Sequence, residues 1–262
     1  MIKAKKSLGQ NFLIDNNIIN KIVNTIDIKN KPILEIGPGT GNLTSFLLKK
    51  NPEKFYVVEK DNMLASDLKK KFKNEIIMIN EDILKLNENQ ISEKKLIVFG
   101  NLPYNISTEI LCKWILNLKN KNIWFSNLVL MFQKEVADRI ISNINSPNYG
   151  RLSILANWRL DIKKILNIKP NCFFPRPKVD SSLLFFSPKE NYFKIKDPKN
   201  LEKITRIFFN QRRKMIKNPF NKIFPKNSDI LDRLHISLDL RPHNLDFKTY
   251  YELTSEFEKL QS

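Results

Sequence analysis

Two cysteines, Cys112 and Cys172, and two histidines, His235 and His243, are all that 262 residues offer to a disulfide framework or a soft metal centre. They are scattered, so the cysteines are expected as reduced thiols and no metal site is expected. No apolar run reaches the ~18 residues that a membrane helix requires. The opening "MIKAKKSLGQNF" lacks the apolar stretch of a signal peptide, which points to a cytoplasmic protein that meets no membrane. Internal repeats and low-complexity tracts are absent as well. Acidic residues are scarce: 27 Asp+Glu face 45 Lys+Arg, for a net charge of +18.

A hydrophobic content of 42% and a charged content of 27% are those of an ordinary globular chain. Its length is enough for one large domain with a smaller appendage. The distribution of the basic residues carries more information than their number. A genome rich in A and T would raise lysine, asparagine and isoleucine everywhere, but it would not gather cations into blocks. From Lys203 to Lys226 there are eight basic residues and no acidic one; from Lys163 to Lys178 there are five, again without an acid. Such segregation implies a polyanion, and nucleic acid suits it better than a lipid surface, because no basic amphipathic Trp/Phe-rich helix stands out.

Along the chain, Ile18, Ile19, Ile22, Val23 and Ile26 form a helical stripe over 16–26, with Asp15 placed to cap it. Buried strands are expected at "PILEI", "KFYVV", "EIIMI", "LIVFGN" and "NLVLMFQ", with helices between most of them, including one over 62–72. "KKILNIKP" and "DSSLLFFSP" read as further strands. Alternation of this kind predicts an α/β fold: a mostly parallel sheet with helices on both faces. Beyond Pro188 the pattern turns helical, polar and basic, broken by Pro198, Pro219, Pro225 and Pro242. The expected division is therefore a domain over 1–190 and a small basic helical domain over 191–262.

In an open α/β sheet, ligands bind at the carboxyl ends of the strands. "EIGPGTG" (35–41) lies at such an end, and Gly37, Gly39 and Gly41 let the backbone approach a ligand closely. Glu59, ending the next strand, is placed to hold ribose hydroxyls. A dinucleotide fingerprint wants a small residue where this chain has Asn42, which disfavours a nicotinamide oxidoreductase. The pattern acid-x-Gly-x-Gly-x-Gly resembles the first motif of class I methyltransferases that use S-adenosylmethionine, a cofactor without a pyrophosphate to seat on a helix N-terminus.

After the fourth strand comes "NLPY" (101–104), which resembles the fourth motif of methyltransferases acting on exocyclic amino groups of nucleobases. The N6 lone pair of adenine is delocalised into the ring. Two acceptors aimed at its hydrogens, the Asn101 side-chain oxygen and the Leu102 carbonyl, favour a localised lone pair and stabilise the charge that develops. Pro103 restricts Leu102 to extended backbone and so fixes where that carbonyl points. Tyr104 offers a face for an unstacked base, a contact worth ~1–3 kcal/mol. The target must leave its stack or be single-stranded.

Nine blocks in one order, across about 1–218, extend the likeness. They are "KKSLGQNFL", "EIGPGTGNLT", "VEKD", "EDIL", "GNLPYNIST", "MFQKEVADRI", "YGRLSIL", "FFPRPKVDSS" and "NQRRKMIKN". Together they resemble the small-subunit ribosomal RNA adenine dimethyltransferases. The resemblance implies a Rossmann-like class I fold, S-adenosylmethionine as cofactor, and dimethylation of N6 on two adjacent adenosines near the 3′ end of 16S rRNA. It implies that Asn11 and Leu13 border the cofactor, with Gly37 and Gly39 beneath its methionine part. Glu59 grips the ribose beside Lys60, Asp82 and Ile83 face the adenine, and Asn101 stands between cofactor and target. Phe173 is implied as the second aromatic around the base. Arg212, Arg213, Lys214 and Lys217, within two helical turns by their spacing, are read as phosphate contacts.

Implied partners are the small ribosomal subunit, as a late assembly intermediate, and its RNA, met by a monomer. Two other readings stand beside this one. Large-subunit methyltransferases of the macrolide-resistance type usually carry Ile where this chain has Leu102 and Asn where it has Asp180. A mainly non-catalytic assembly factor is disfavoured by the intact tip at 101–104. Beyond Pro219 no motif matches.

Overall fold

The computed structural model describes residues 5, 9–118, 123–225 and 229–261. Residues 6–8 of the block "KKSLGQNFL" and Lys226 of the basic block lie outside the described residues. In chain order the strands are β1 (Phe12–Leu13), β2 (Pro32–Ile36), β3 (Lys54–Val58), β4 (Ile77–Ile79), β5 (Leu96–Asn101), β6 (Phe125–Gln133), β7 (Leu160–Ile168), β8 (Phe173–Phe174) and β9 (Ser181–Pro188). The helices are α1 (Asn16–Val23), α2 (Asn42–Leu48), α3 (Asn62–Phe72), α4 (Ser107–Leu116), α5 (Lys134–Ile140), α6 (Arg151–Arg159), α7 (Pro198–Phe209), α8 (Lys217–Ile223), α9 (Asp229–Leu234) and α10 (Phe247–Leu260).

Seven strands make one sheet in the order β4-β3-β2-β5-β6-β9-β7. The pairs β4/β3, β3/β2, β2/β5 and β5/β6 are parallel, whereas β9 runs antiparallel to β6. All five residues of β2 are buried, as a parallel strand covered on both faces requires. From β2 the chain crosses over to β3 and β4 on one side and returns to β5 and β6 on the other. That reversal opens a crevice beyond the carboxyl ends of β2 and β5, at Ile36 and Asn101. The expected Rossmann-like class I architecture is present. Ile33, Val57, Ile97, Phe99 and Val129 from the strands pack with Ile19, Leu47 and Leu68 from the helices in one hydrophobic cluster.

Local chemistry sets the helix starts. Asp15 caps α1 by accepting from the backbone N–H of Asn17 and Ile18, and Asp61 caps α3 in the same way through Met63 and Leu64. The first helix stops at Val23, short of Ile26, although the apolar stripe continues. A two-stranded antiparallel sheet joins β1 to β8, with Phe12 opposite Phe174 and Leu13 opposite Phe173.

The described residues fall into two compact units. One takes in 1–111, 122–137 and 162–188; the other takes in 112–121, 138–161 and 189–262. The second unit is helical. Leu201, Ile204 and Phe208 of α7 are buried with Tyr250 and Leu253 of α10, and the Phe208 and Tyr250 rings meet edge-on at 5.7 Å. Arg159 is enclosed within it: the guanidinium lies 3.7 Å from the centre of the Tyr192 ring and donates to the Leu118 carbonyl at 2.9 Å. Among the described residues no helix is long and apolar enough to cross a membrane, and no group of three His, Cys, Asp or Glu could hold a metal ion.

Candidate active site

At the crevice lies a cleft. Its walls come from the glycine turn after β2 (Gly37, Gly39), the end of β3 (Glu59, Lys60), the loop after β4 (Asp82, Ile83), the tip after β5 (Asn101–Tyr104) and the N-terminal segment (Gly9–Phe12). Residues as far apart as Gly9 and Tyr104 thus share one cleft, because the parallel strands all end on one side.

Gly37 has φ +66°, and a Cβ there would stand 3.2 Å from the Asn101 carbonyl. Gly39 has φ +59°, and its Cβ would fall 2.5 Å from the Phe12 ring. Both positions combine a left-handed backbone with a wall that leaves no space for a side chain. The result is a backbone-lined cradle.

Three carboxylates have different tasks there. Glu35, inside the glycine motif, is fully buried and accepts from the Thr44 hydroxyl at 2.7 Å. Burial pushes its pKa up to about 8, against the Thr44 bond that pulls it down. Glu59 accepts from the N–H of Asp61 at 2.9 Å and of Gly39 at 3.4 Å; desolvation still raises its pKa above the ordinary glutamate value. Asp82 receives Lys60 Nζ at 2.8 Å and the Leu84 N–H at 3.0 Å, and Lys60 chiefly holds its carboxyl below the ordinary aspartate range. The cleft therefore offers one buried carboxylate near the glycine turn and one charge-paired carboxylate farther along.

The tip after β5 is anchored on two sides. Asn101 Nδ2 donates to the Asn11 carbonyl at 2.7 Å, which commits the donor end of the amide and leaves Oδ1 as the free end. The carbonyls of Pro103 and Tyr104 are taken by the Ile106 N–H at 3.1 Å and the Ser107 hydroxyl at 3.3 Å. Among the described residues this leaves the Leu102 carbonyl open. The Tyr104 hydroxyl is hydrogen-bonded to the Ser181 hydroxyl, and burial raises the phenol's pKa.

Two expected site residues sit elsewhere. Leu13 is in the hydrophobic core, and its carbonyl accepts from Asn42 Nδ2 at 2.8 Å; it is Phe12 that lines the cleft. Phe173 is likewise a core residue, 2% exposed, whereas Phe174 is 58% exposed. In a strand successive side chains point to opposite faces, so the neighbour of an inward ring is the outward one. Phe174 lies opposite Phe12 across the β1/β8 pair and is exposed, but it is not among the residues that wall the cleft. Gln10, Asp61 and Ser181 were not anticipated. Asp61 receives Lys5 Nζ at 2.7 Å and Gln10 Nε2 at 3.4 Å, tying the N-terminal segment to the start of α3. Asp61 thus serves both as the cap of α3 and as the anchor of the N-terminal segment.

In the helical unit, the four cations read as phosphate contacts do not lie along a helix. Arg212, Arg213 and Lys214 occupy the turn between α7 and α8, and Lys217 opens α8. No acid is nearby to neutralise four cations at helical spacing, and the chain leaves the helix at Asn210. Arg212 is half-buried and donates to the Ser146 carbonyl at 3.3 Å, while Arg213, Lys214 and Lys217 are exposed.

The sequence profile of the family described as ribosomal RNA adenine dimethylase matches residues 1–259. A protein of Pelagibacter ubique, the ribosomal RNA small subunit methyltransferase A, is 65% identical over 260 residues, 99% of each chain. The crystal structure of a dimethyladenosine transferase from Plasmodium falciparum superposes with a TM-score of 0.78 at 29% identity, over 95% of this chain and 98% of that one. That of the 23S rRNA methyltransferase ErmE superposes with a TM-score of 0.68 at 22% identity, over 96% of this chain and all of the other, a likeness of fold.

Proposed function

The chain belongs to the ribosomal RNA adenine dimethylase family, and from that premise we propose that it dimethylates N6 of two adjacent adenosines near the 3′ end of small-subunit ribosomal RNA, using S-adenosylmethionine. The cleft suits that cofactor. The Cβ-free cradle at Gly37 and Gly39 admits the methionine part, Glu59 the ribose hydroxyls, and Asp82 with Ile83 the adenine; Asn11, Phe12 and Lys60 border it. When bound, S-adenosylmethionine supplies a methyl group activated by a sulfonium.

The chain's own contribution is position and electrostatics. Asn101 Oδ1 and the Leu102 carbonyl accept the two hydrogens of the target amine, localise its lone pair and stabilise the positive charge that grows on it. Tyr104 and Phe174 hold the everted base between ring faces. No general base is required, because a methylated purine ammonium is acidic enough to give its proton to water. The observation that supports this reading is the Asn101–Asn11 bond, which engages the donor end of an amide that lines the cleft and keeps its acceptor end for the target amine.

The partner in this reading is a late intermediate of small-subunit assembly, met in the cytoplasm by a monomer. The catalytic part over 1–190 carries the chemistry and the basic helical part over 191–262 grips RNA through Arg213, Lys214 and Lys217. The test is nucleoside mass spectrometry after incubating undermodified small subunits, and separately bare large-subunit RNA, with protein and cofactor. N6,N6-dimethyladenosine in the small subunit is the expected result. Product only in the large-subunit arm would transfer the assignment to the macrolide-resistance type, and none in either would leave a non-catalytic assembly role.

A further inference from the structure

The helical unit has a surface groove between α7 and α8 whose polar side chains are exposed. Arg206, Asn210, Gln211, Asn218 and Lys222 line it, and the rest of its wall is apolar. Arg206 and Asn210 are one helical turn apart, as are Asn218 and Lys222, so each pair shares a face of its element. Two cations and three carboxamides therefore converge on one concavity, and no carboxylate joins them.

Several other cations of this chain are occupied. Lys60 is paired with Asp82 at 2.8 Å, Lys169 with Asp180 at 2.8 Å and Arg233 with Glu256 at 2.9 Å. Lys203, at the head of the basic block, lies 4.6 Å over the Phe257 ring, and Arg212 is spent on the Ser146 carbonyl. Arg206 and Lys222 differ: among the described residues neither has an ion-pair partner, and the chain from Lys203 to Pro225 contains no acid. A pocket rich in N–H donors and positive charge complements an anion with several acceptor oxygens. Its apolar wall, Ile207 and Pro219, suits a sugar.

We propose that this pocket seats one sugar-phosphate unit of the RNA strand, with Arg206 and Lys222 on the phosphodiester oxygens and the carboxamides on phosphate and 2′-hydroxyl. The inference rests on the RNA partner proposed above and adds a defined contact point to it. Base identity is not read here, so the contact gives affinity and register, not sequence preference.

The test uses the full chain with undermodified small subunits, measuring affinity by filter binding across a salt series. Arg206→Gln with Lys222→Gln is expected to weaken binding roughly tenfold, the scale of a lost charge-assisted contact. It should also flatten the slope of log affinity against log salt by about 1–2. Asn218→Asp, which removes no cation, should weaken binding in the same direction. Cofactor binding by equilibrium dialysis should stay at the wild-type value in each case. Lys194→Gln with Lys199→Gln, two exposed cations outside the pocket, gives the comparison for loss of charge alone. If the pocket pair matches that control in affinity and slope, the inference is overturned. Failure of the wild-type chain itself to bind small subunits is a separate outcome, which removes the RNA reading and this site's ligand together.

Discussion

Tyr104 and Ser181, 77 residues apart in the chain, share a hydrogen bond that fastens the tip after β5 to the first residue of β9. Ser181 is completely buried and itself sits in register with Gln133 of β6, so the phenol is tied to the sheet and not to a loop. The ring is thereby held in one orientation before any base arrives, which lowers the ordering cost of stacking. Ser181→Ala should raise the KM for small subunits about fivefold, the scale of one neutral hydrogen bond. Cofactor affinity should not change. Tyr104→Phe should have the same effect, and the double variant should be no worse than either; additive losses would mean that the two hydroxyls act separately.

Asn101 supplies a neutral acceptor that no neighbouring group can replace. Asn101→Ala should lower methyl transfer by roughly 100-fold or more, as loss of one preorganised electrostatic contact does elsewhere. Dialysis with labelled cofactor and filter binding with subunits should both remain close to wild type. Near-normal single-turnover rates in this variant would remove the proposed chemistry.

Phe173 and Phe174 are adjacent and should behave oppositely. Phe173→Ala opens a cavity in the core and should cost about 3–5 kcal/mol of stability in urea unfolding. Phe174→Ala removes an exposed ring and should leave the unfolding midpoint in place while weakening RNA turnover. A Phe174→Ala chain with full activity would show that no ring opposes Tyr104.

Glu35 predicts a pH dependence with a definite sign. Its pKa in the folded chain is about 8 against an ordinary 4.5, so the folded state holds the proton more tightly than the unfolded one. Stability from this group is complete below the ordinary value and is lost as pH rises towards 8, after which it levels. Glu59, also raised by burial, acts in the same direction. Asp61 and Asp82 are lowered and titrate below this window. Urea midpoints should therefore fall between pH 5 and 8 by the equivalent of a few kcal/mol. In Glu35→Gln that fall should be much smaller; an unchanged profile would contradict the assignment.

The parallel strands were legible because each is a short apolar run bounded by turn chemistry, although β4, expected to be buried, is an edge strand whose residues are exposed or half-buried. The glycine turn and the tip were legible because their residue types are unusual at strand ends. The two-residue strands β1 and β8 were not, since two residues carry no periodicity. The same gap hid which of Phe173 and Phe174 faces inward: deciding that needs a pairing partner, and Leu13, opposite Phe173, is 160 positions away. The bond between Tyr104 and Ser181 leaves no local mark at either residue. For the basic segment, spacing suggested a helix, whereas unneutralised charge beyond Asn210 accompanies a turn.

The amide of Asn101 takes its orientation from a backbone carbonyl in the N-terminal segment, at Asn11, whose neighbour Phe12 also closes over Gly39. Docking of that segment and aiming of the acceptor are thus a single event. A chain whose first dozen residues are clipped or displaced would keep its sheet yet lose both the ring over Gly39 and the anchor of its acceptor, so the outermost stretch of sequence works as the safety catch of the innermost chemistry.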